Sequence, residues 1–126
     1  MKEHPDRTIF VAGSVGPTNK TASMSPDVSD PAYRAVTYLD LYSAYKEQVD
    51  ALVDGGVDIV LFETTFDTLN VKAGLEAAEA VLKEKGKDLP IMLSLTLSAQ
   101  GGRTFSGQTL LAFLAPCNIP ILLVSV

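Results

Sequence analysis

The chain is poor in the residues that build disulfides and metal sites: its 126 residues include one cysteine, Cys117, and one histidine, His4. A lone thiol excludes an intramolecular disulfide, and without cysteine or histidine partners at ligand spacing it cannot assemble a tetrahedral zinc site. His4 stands isolated near the N-terminus and reads as a surface residue. Positive charge is scarce too. The 10 Lys and Arg are outnumbered by 15 Asp and Glu, giving a net charge of −5 with no basic cluster, which argues against binding nucleic acid through its phosphates. No apolar run suits a membrane span either. Residues 110–126 are apolar over roughly 17 positions, at the short limit for a bilayer, and Pro116, Asn118 and Pro120 interrupt them. The opening residues 1–7 are charged throughout and unlike a signal peptide, so a cytoplasmic location is expected.

What is present is ordinary globular composition, 47% apolar and 20% charged, sufficient for one domain at most. Four short apolar runs, at residues 9–12, 58–62, 90–97 and 120–126, are continuous rather than alternating. That is the pattern of parallel strands covered on both faces. Helical periodicity fills the intervals. Residues 38–53 place Leu41, Tyr45, Gln48 or Val49, and Leu52 on one side, with Thr37 as N-cap, Asp40 in the first turn and Gly55-Gly56 as the stop. Residues 68–85 place Val71, Leu75, Ala78 and Leu82 on a stripe, capped by Asp67 and ended by Gly86, with Lys83, Lys85 and Lys87 at the negative end of the helix dipole. A shorter helix over 108–115 is broken by Pro116. The later strand starts lie roughly 30 residues apart, the length of a βα unit, so the fold class is α/β with parallel strands. The first interval is longer, and its excess, residues 21–34, is a proline-bearing loop after a strand end, where long loops are usually functional.

Two strand ends carry the candidate chemistry. The apolar run at 58–62 stops at Glu63-Thr64-Thr65, and a carboxylate ejected at the C-terminal end of a buried strand is how an α/β barrel builds an active site. Residues 10–12 likewise run into Gly13-Ser14-Val15-Gly16, a loop that lets a ligand approach backbone closely. Glu63, Gly13 and Ser14 are therefore the candidate substrate-binding residues. Their bland alternatives are a loop-stabilising carboxylate and a tight turn. Lys20-Thr21 after glycines imitates a phosphate loop, but Asn19 replaces the needed glycine and Pro17 removes an amide. Ser94 and Thr96 either line a pocket or bond to neighbours, Arg103 reads as an exposed turn residue, and Asp67 and Asn70 as capping, solvent-facing groups.

Residues 11–28, the stretch Phe62-Glu63-Thr64-Thr65-Phe66-Asp67-Thr68-Leu69-Asn70, and Ser106-Gly107-Gln108-Thr109 together resemble the homocysteine-binding domain of cobalamin-dependent methionine synthase. The resemblance runs from about Phe10 to Phe113 with three motifs in order. It implies a TIM (β/α)8 barrel binding homocysteine at its C-terminal face, with Glu63 receiving the ammonium group. It also implies zinc held by three cysteine thiolates, activating the substrate thiol, and methyl transfer from methylcobalamin to give methionine. Cobalamin- and folate-binding modules of the full enzyme would be partners. The sequence departs from that pattern in lacking the first strand's Asp-Gly-Ala-Met-like turn and the zinc cysteines. Residues 1–126 are thus expected to form a partial domain, about four parallel strands with covering helices, or half a barrel, with no catalytic or metal residue of its own and no activity alone. Two alternatives remain: a non-catalytic remnant or binding module, and a homocysteine methyltransferase using another methyl donor, which the residue 19–23 run disfavours.

Overall fold

A computed structural model describes residues 7–117 and the backbone of residues 121–125. Expectations for His4, Asn118, Pro120 and Val126 fall outside these residues. Strands β1 (Ala12–Val15), β2 (Ile59–Thr65), β3 (Ile91–Thr96) and β4 (Ile121–Ser125) alternate with helices α1 (Tyr38–Asp54), α2 (Thr68–Lys85) and α3 (Leu110–Leu114). The strands pair in chain order and every pair is parallel. Among the described residues no helix is long and apolar enough to cross a membrane.

The helix ends form as their chemistry dictates. Thr37 accepts from the Asp40 amide while the Asp40 carboxylate accepts from the Thr37 amide, a reciprocal capping box. Asp67 caps α2, and Gly86 closes it in the left-handed conformation that glycine adopts without strain. Leu41, Tyr45, Val49 and Val53 form the buried stripe of α1, so its last core residue is Val53 rather than Leu52. The helix winds one turn of four residues from Val49 and reaches Val53, leaving Leu52 half-buried at the margin. Of the predicted α2 stripe Val71, Ala78 and Leu82 are buried and Leu75 is half-buried, while Ala73, Gly74, Ala77 and Val81 join the buried arc because the helix packs against both the sheet and α1. Lys46–Glu84 at 2.7 Å and Lys85–Asp50 at 3.1 Å join the outer edges of the two helices.

The first strand lies three residues later than the apolar run predicts. Ladder pairing begins at Ala12 opposite Ile59, because residues 55–58 are still completing the turn out of α1. Phe10 is consequently 66% exposed. The third helix is also shorter than predicted, starting at Leu110 behind the Thr109 cap, since residues 104–108 are held in a turn by their own hydrogen bonds.

Burial alternates along the strands. Gly13, Val15, Val60, Phe62, Leu93 and Leu95 are buried beneath the helices, whereas Ser14, Leu61, Glu63, Met92, Ser94 and Thr96 alternate with them and are exposed or half-buried. Over β1, β2 and β3 one face of the sheet is therefore covered and the other open, in contrast to the two-sided cover the continuous apolar runs predict. Tight packing on the covered face explains two glycines. A Cβ at Gly74 would stand 2.6 Å from Cε1 of Phe62, and one at Gly13 would stand 2.9 Å from Cγ1 of Val57.

Candidate functional site

The open face of the sheet carries the candidate polar pair. Ser14 of β1 and Glu63 of β2 project from neighbouring parallel strands near their C-terminal ends, and the Ser14 hydroxyl donates to Glu63 Oε1. One hydroxyl thus fixes the carboxylate and leaves Oε2 available to a cationic ligand. Glu63 is half-buried, so an ion pair there is better shielded from water than at an open surface.

The backbone around Glu63 is irregular. Phe62 pairs with Leu93 and Thr65 with Leu95, so β2 holds one residue more than β3 across this interval. Thr64 sits at φ 56°, a left-handed conformation unfavourable for a β-branched residue. The bulge has a clear effect on side-chain direction. Glu63 stays on the open face while Thr65 turns to the covered one, where its hydroxyl donates to the Ser94 carbonyl at 2.8 Å.

Gly13 is placed differently from expectation. It lies inside β1 rather than in a turn after it, and its missing side chain makes room for Leu52 and Val57 on the helix side. Ser14 and Glu63 come together; Gly13 stands beside them on the opposite face.

A cavity of about 670 Å³ opens at the same end of the sheet, within the range of small-molecule sites. Its walls come from the loop after β1 (Thr18, Lys20, Met24), from Phe66 after β2 and from Thr96 and Phe105 around β3. Thr96 belongs to the cavity, then, whereas Ser94 contributes its carbonyl to the strand interior. Phe66 and Phe105 meet edge to face, with ring centres 6.1 Å apart. Neither Ser14 nor Glu63 lines this cavity; the polar pair and the apolar hollow are adjacent parts of one rim.

Hydrogen bonds tie the rim loops to the start of α2. Asp67 and Asn70 are buried, which corrects their reading as solvent-facing. Asp67 Oδ1 accepts from the Leu69 and Asn70 amides, and Oδ2 accepts from the amide and hydroxyl of Ser23. The motif at residues 106–109 docks on the same turn: Ser106 donates to the Phe66 carbonyl at 3.2 Å, and Thr68 donates to Gln108 Oε1. Arg103 is exposed, as an ordinary turn residue would be, and its guanidinium donates to the Gly107 carbonyl at 2.9 Å. Sequence reasoning found the Asp67 cap and missed its second role, because the partners lie more than forty positions away in a loop with no periodicity.

Cys117 is a free, buried thiol whose pKa is raised by burial, with Lys72 opposing. Among the described residues no three His, Cys, Asp or Glu side chains converge on a point that could hold a metal. The thiolate-bound zinc implied by the sequence resemblance therefore has no donor set in this part of the fold.

A family model described as homocysteine S-methyltransferase matches residues 1–125 of the chain.

Proposed function

The chain belongs to the homocysteine S-methyltransferase family, and on that footing we propose that the Ser14–Glu63 pair binds the amino-acid end of homocysteine at the mouth of a (β/α)8 barrel. Consecutive parallel strands with helices on one face are consistent with an arc of such a barrel, whose active sites lie at the C-terminal strand ends. The single observation that carries the reading is the hydrogen bond from Ser14 to a half-buried carboxylate at that end. Glu63 accepts from the substrate ammonium, a charge-assisted bond, and the Ser14 hydroxyl prevents the carboxylate from swinging away. The apolar hollow beside it accommodates the thioether product as readily as the thiol, since its walls are chiefly carbon.

In this reading the domain is that of a cobalamin-dependent methionine synthase, with methylcobalamin on a separate module as the methyl donor. The support is the run from Asn19 to Ser23 together with the other two motifs. These residues bind and orient the amino acid; among the described residues no three His, Cys, Asp or Glu side chains come together to hold the zinc that would activate its sulfur.

Calorimetric titration of homocysteine onto the chain tests this assignment, with Glu63→Gln as the comparison. Loss of a hydrogen bond to a charged group weakens binding by about ten- to a hundredfold. Equal affinity in the two proteins, or no binding by the wild type, refutes the assignment.

A further inference from the structure

The hydrogen-bonding capacity at the start of α2 exceeds what the helix uses. Asp67 is 2% and Asn70 6% exposed, yet capping requires only one carboxylate oxygen of Asp67, which accepts from Leu69 N at 3.0 Å and Asn70 N at 3.1 Å. Its other oxygen accepts from the Ser23 amide at 3.3 Å and from the Ser23 hydroxyl. Asn70 directs its whole side-chain amide to the same loop. Oδ1 accepts from Ala22 N at 2.9 Å, while Nδ2 donates to the Lys20 carbonyl at 2.9 Å and to Thr18 Oγ1 at 3.1 Å. The Thr18 hydroxyl in turn donates to the Lys20 carbonyl at 2.5 Å. No buried side-chain nitrogen or oxygen among the described residues lacks a partner.

The bonded segment is also a wall. Thr18, Lys20 and Thr21 line the 670 Å³ cavity, with Met24 and Ser25 just beyond the last bonded residue, Ser23. An extended loop without secondary structure has little of its own to hold it in one place. The bonds from α2 supply that constraint.

We infer that Asp67 and Asn70 are positioning residues: through five hydrogen bonds they latch residues 18–23 onto the first turn of α2 and so set the shape of the cavity beside the Ser14–Glu63 pair. Neither residue touches the cavity; both act through the loop. The functional half of this inference rests on the reading of the rim as the homocysteine site, whereas the latch itself rests on geometry alone.

Two isosteric or near-isosteric variants of the whole chain separate a latch from a helix cap. Ser23→Ala removes a bond from the loop side and leaves α2 untouched. Asn70→Asp keeps an oxygen for Ala22 N but replaces the amide donor with an oxygen facing the Lys20 carbonyl. Amide hydrogen exchange read by mass spectrometry is expected to quicken about tenfold over residues 18–25 in both variants, as befits the loss of one or two buried hydrogen bonds. Exchange in the buried core of α2 is expected to stay at its wild-type rate. Homocysteine affinity, measured on the same samples, is expected to fall with the loop protection. Unchanged exchange over residues 18–25 overturns the latch. Faster loop exchange with unchanged affinity overturns the positioning role. A wild-type chain that binds no homocysteine sinks the functional reading alone, and the exchange contrast still decides the latch.

Discussion

Gly74 occupies the middle of α2, where alanine would ordinarily be preferred by about 1 kcal/mol. The structure predicts the opposite sign. A Cβ there would lie 2.6 Å from Cε1 of Phe62 and 3.3 Å from Cδ1 and Cζ of the same ring, well inside the ~3.5–4.0 Å of ordinary carbon contact. The ring has nowhere to retreat. It is 2% exposed and meets the Tyr45 ring edge to face at 6.0 Å on another side, and its backbone is fixed by β2 pairing with β1 and β3. Overpacking of this kind costs about 1–3 kcal/mol, and the near-ångström overlap with a rigid ring edge places Gly74→Ala in the upper part of that range. After the helix-propensity gain is subtracted, a net destabilisation of about 1–2 kcal/mol remains. Urea unfolding at fixed chain concentration measures it as a lower midpoint with an unchanged slope. Phe62→Leu, which removes the ring edge, should be less harmful in the Gly74→Ala background than alone, with a coupling of about 1 kcal/mol. A raised midpoint for Gly74→Ala, or strict additivity of the two substitutions, refutes the close-approach reasoning.

Relief of the left-handed strain at Thr64 by Thr64→Gly should stabilise the chain by about 1 kcal/mol in the same unfolding assay, and no gain would show that the strand bulge holds the residue without strain. The Tyr38 phenol is pushed up to about 12 by burial and by donating to Glu76 Oε2 at 2.6 Å. Because the fold favours the neutral phenol, the contribution of Tyr38 to stability is complete below the ordinary value of 10.0 and disappears as pH rises towards 12. A spectrophotometric phenolate titration of Tyr38→Phe should therefore lose amplitude near that pH, and loss of amplitude near the ordinary 10.0 instead would count against the Glu76 contact.

The helices were the most legible part of the sequence, because their signals are local. Thr37 with Asp40, and Asp67 with Gly86, lie within a turn of the ends they specify, and α2 begins and ends where its cap and its glycine predict. Strand positions were less legible at β1, where the apolar residues 9–11 precede the ladder and only the partner Ile59 decides which residues pair. Glu63 was readable as the polar end of a buried run and Ser14 as lying at the equivalent end of another; their hydrogen bond came only with the parallel register. Gly13 was read as a substrate-binding loop residue because nothing local distinguishes a glycine that yields to a ligand from one that yields to Leu52 and Val57. The second role of Asp67 and the whole role of Asn70 depend on a loop some fifty positions away, and no spacing rule carries that information.

The bonds from the first turn of α2 run in two directions, backwards to residues 18–23 and forwards to Ser106 and Gln108. The β2–α2 module consequently stores part of its neighbours' blueprint. Recombination that exchanged residues 57–86 alone between distant relatives would import foreign anchors for both flanking loops, even if every strand and helix were preserved. The smallest unit that evolution or an engineer can shuffle with these bonds intact is therefore three consecutive modules rather than one.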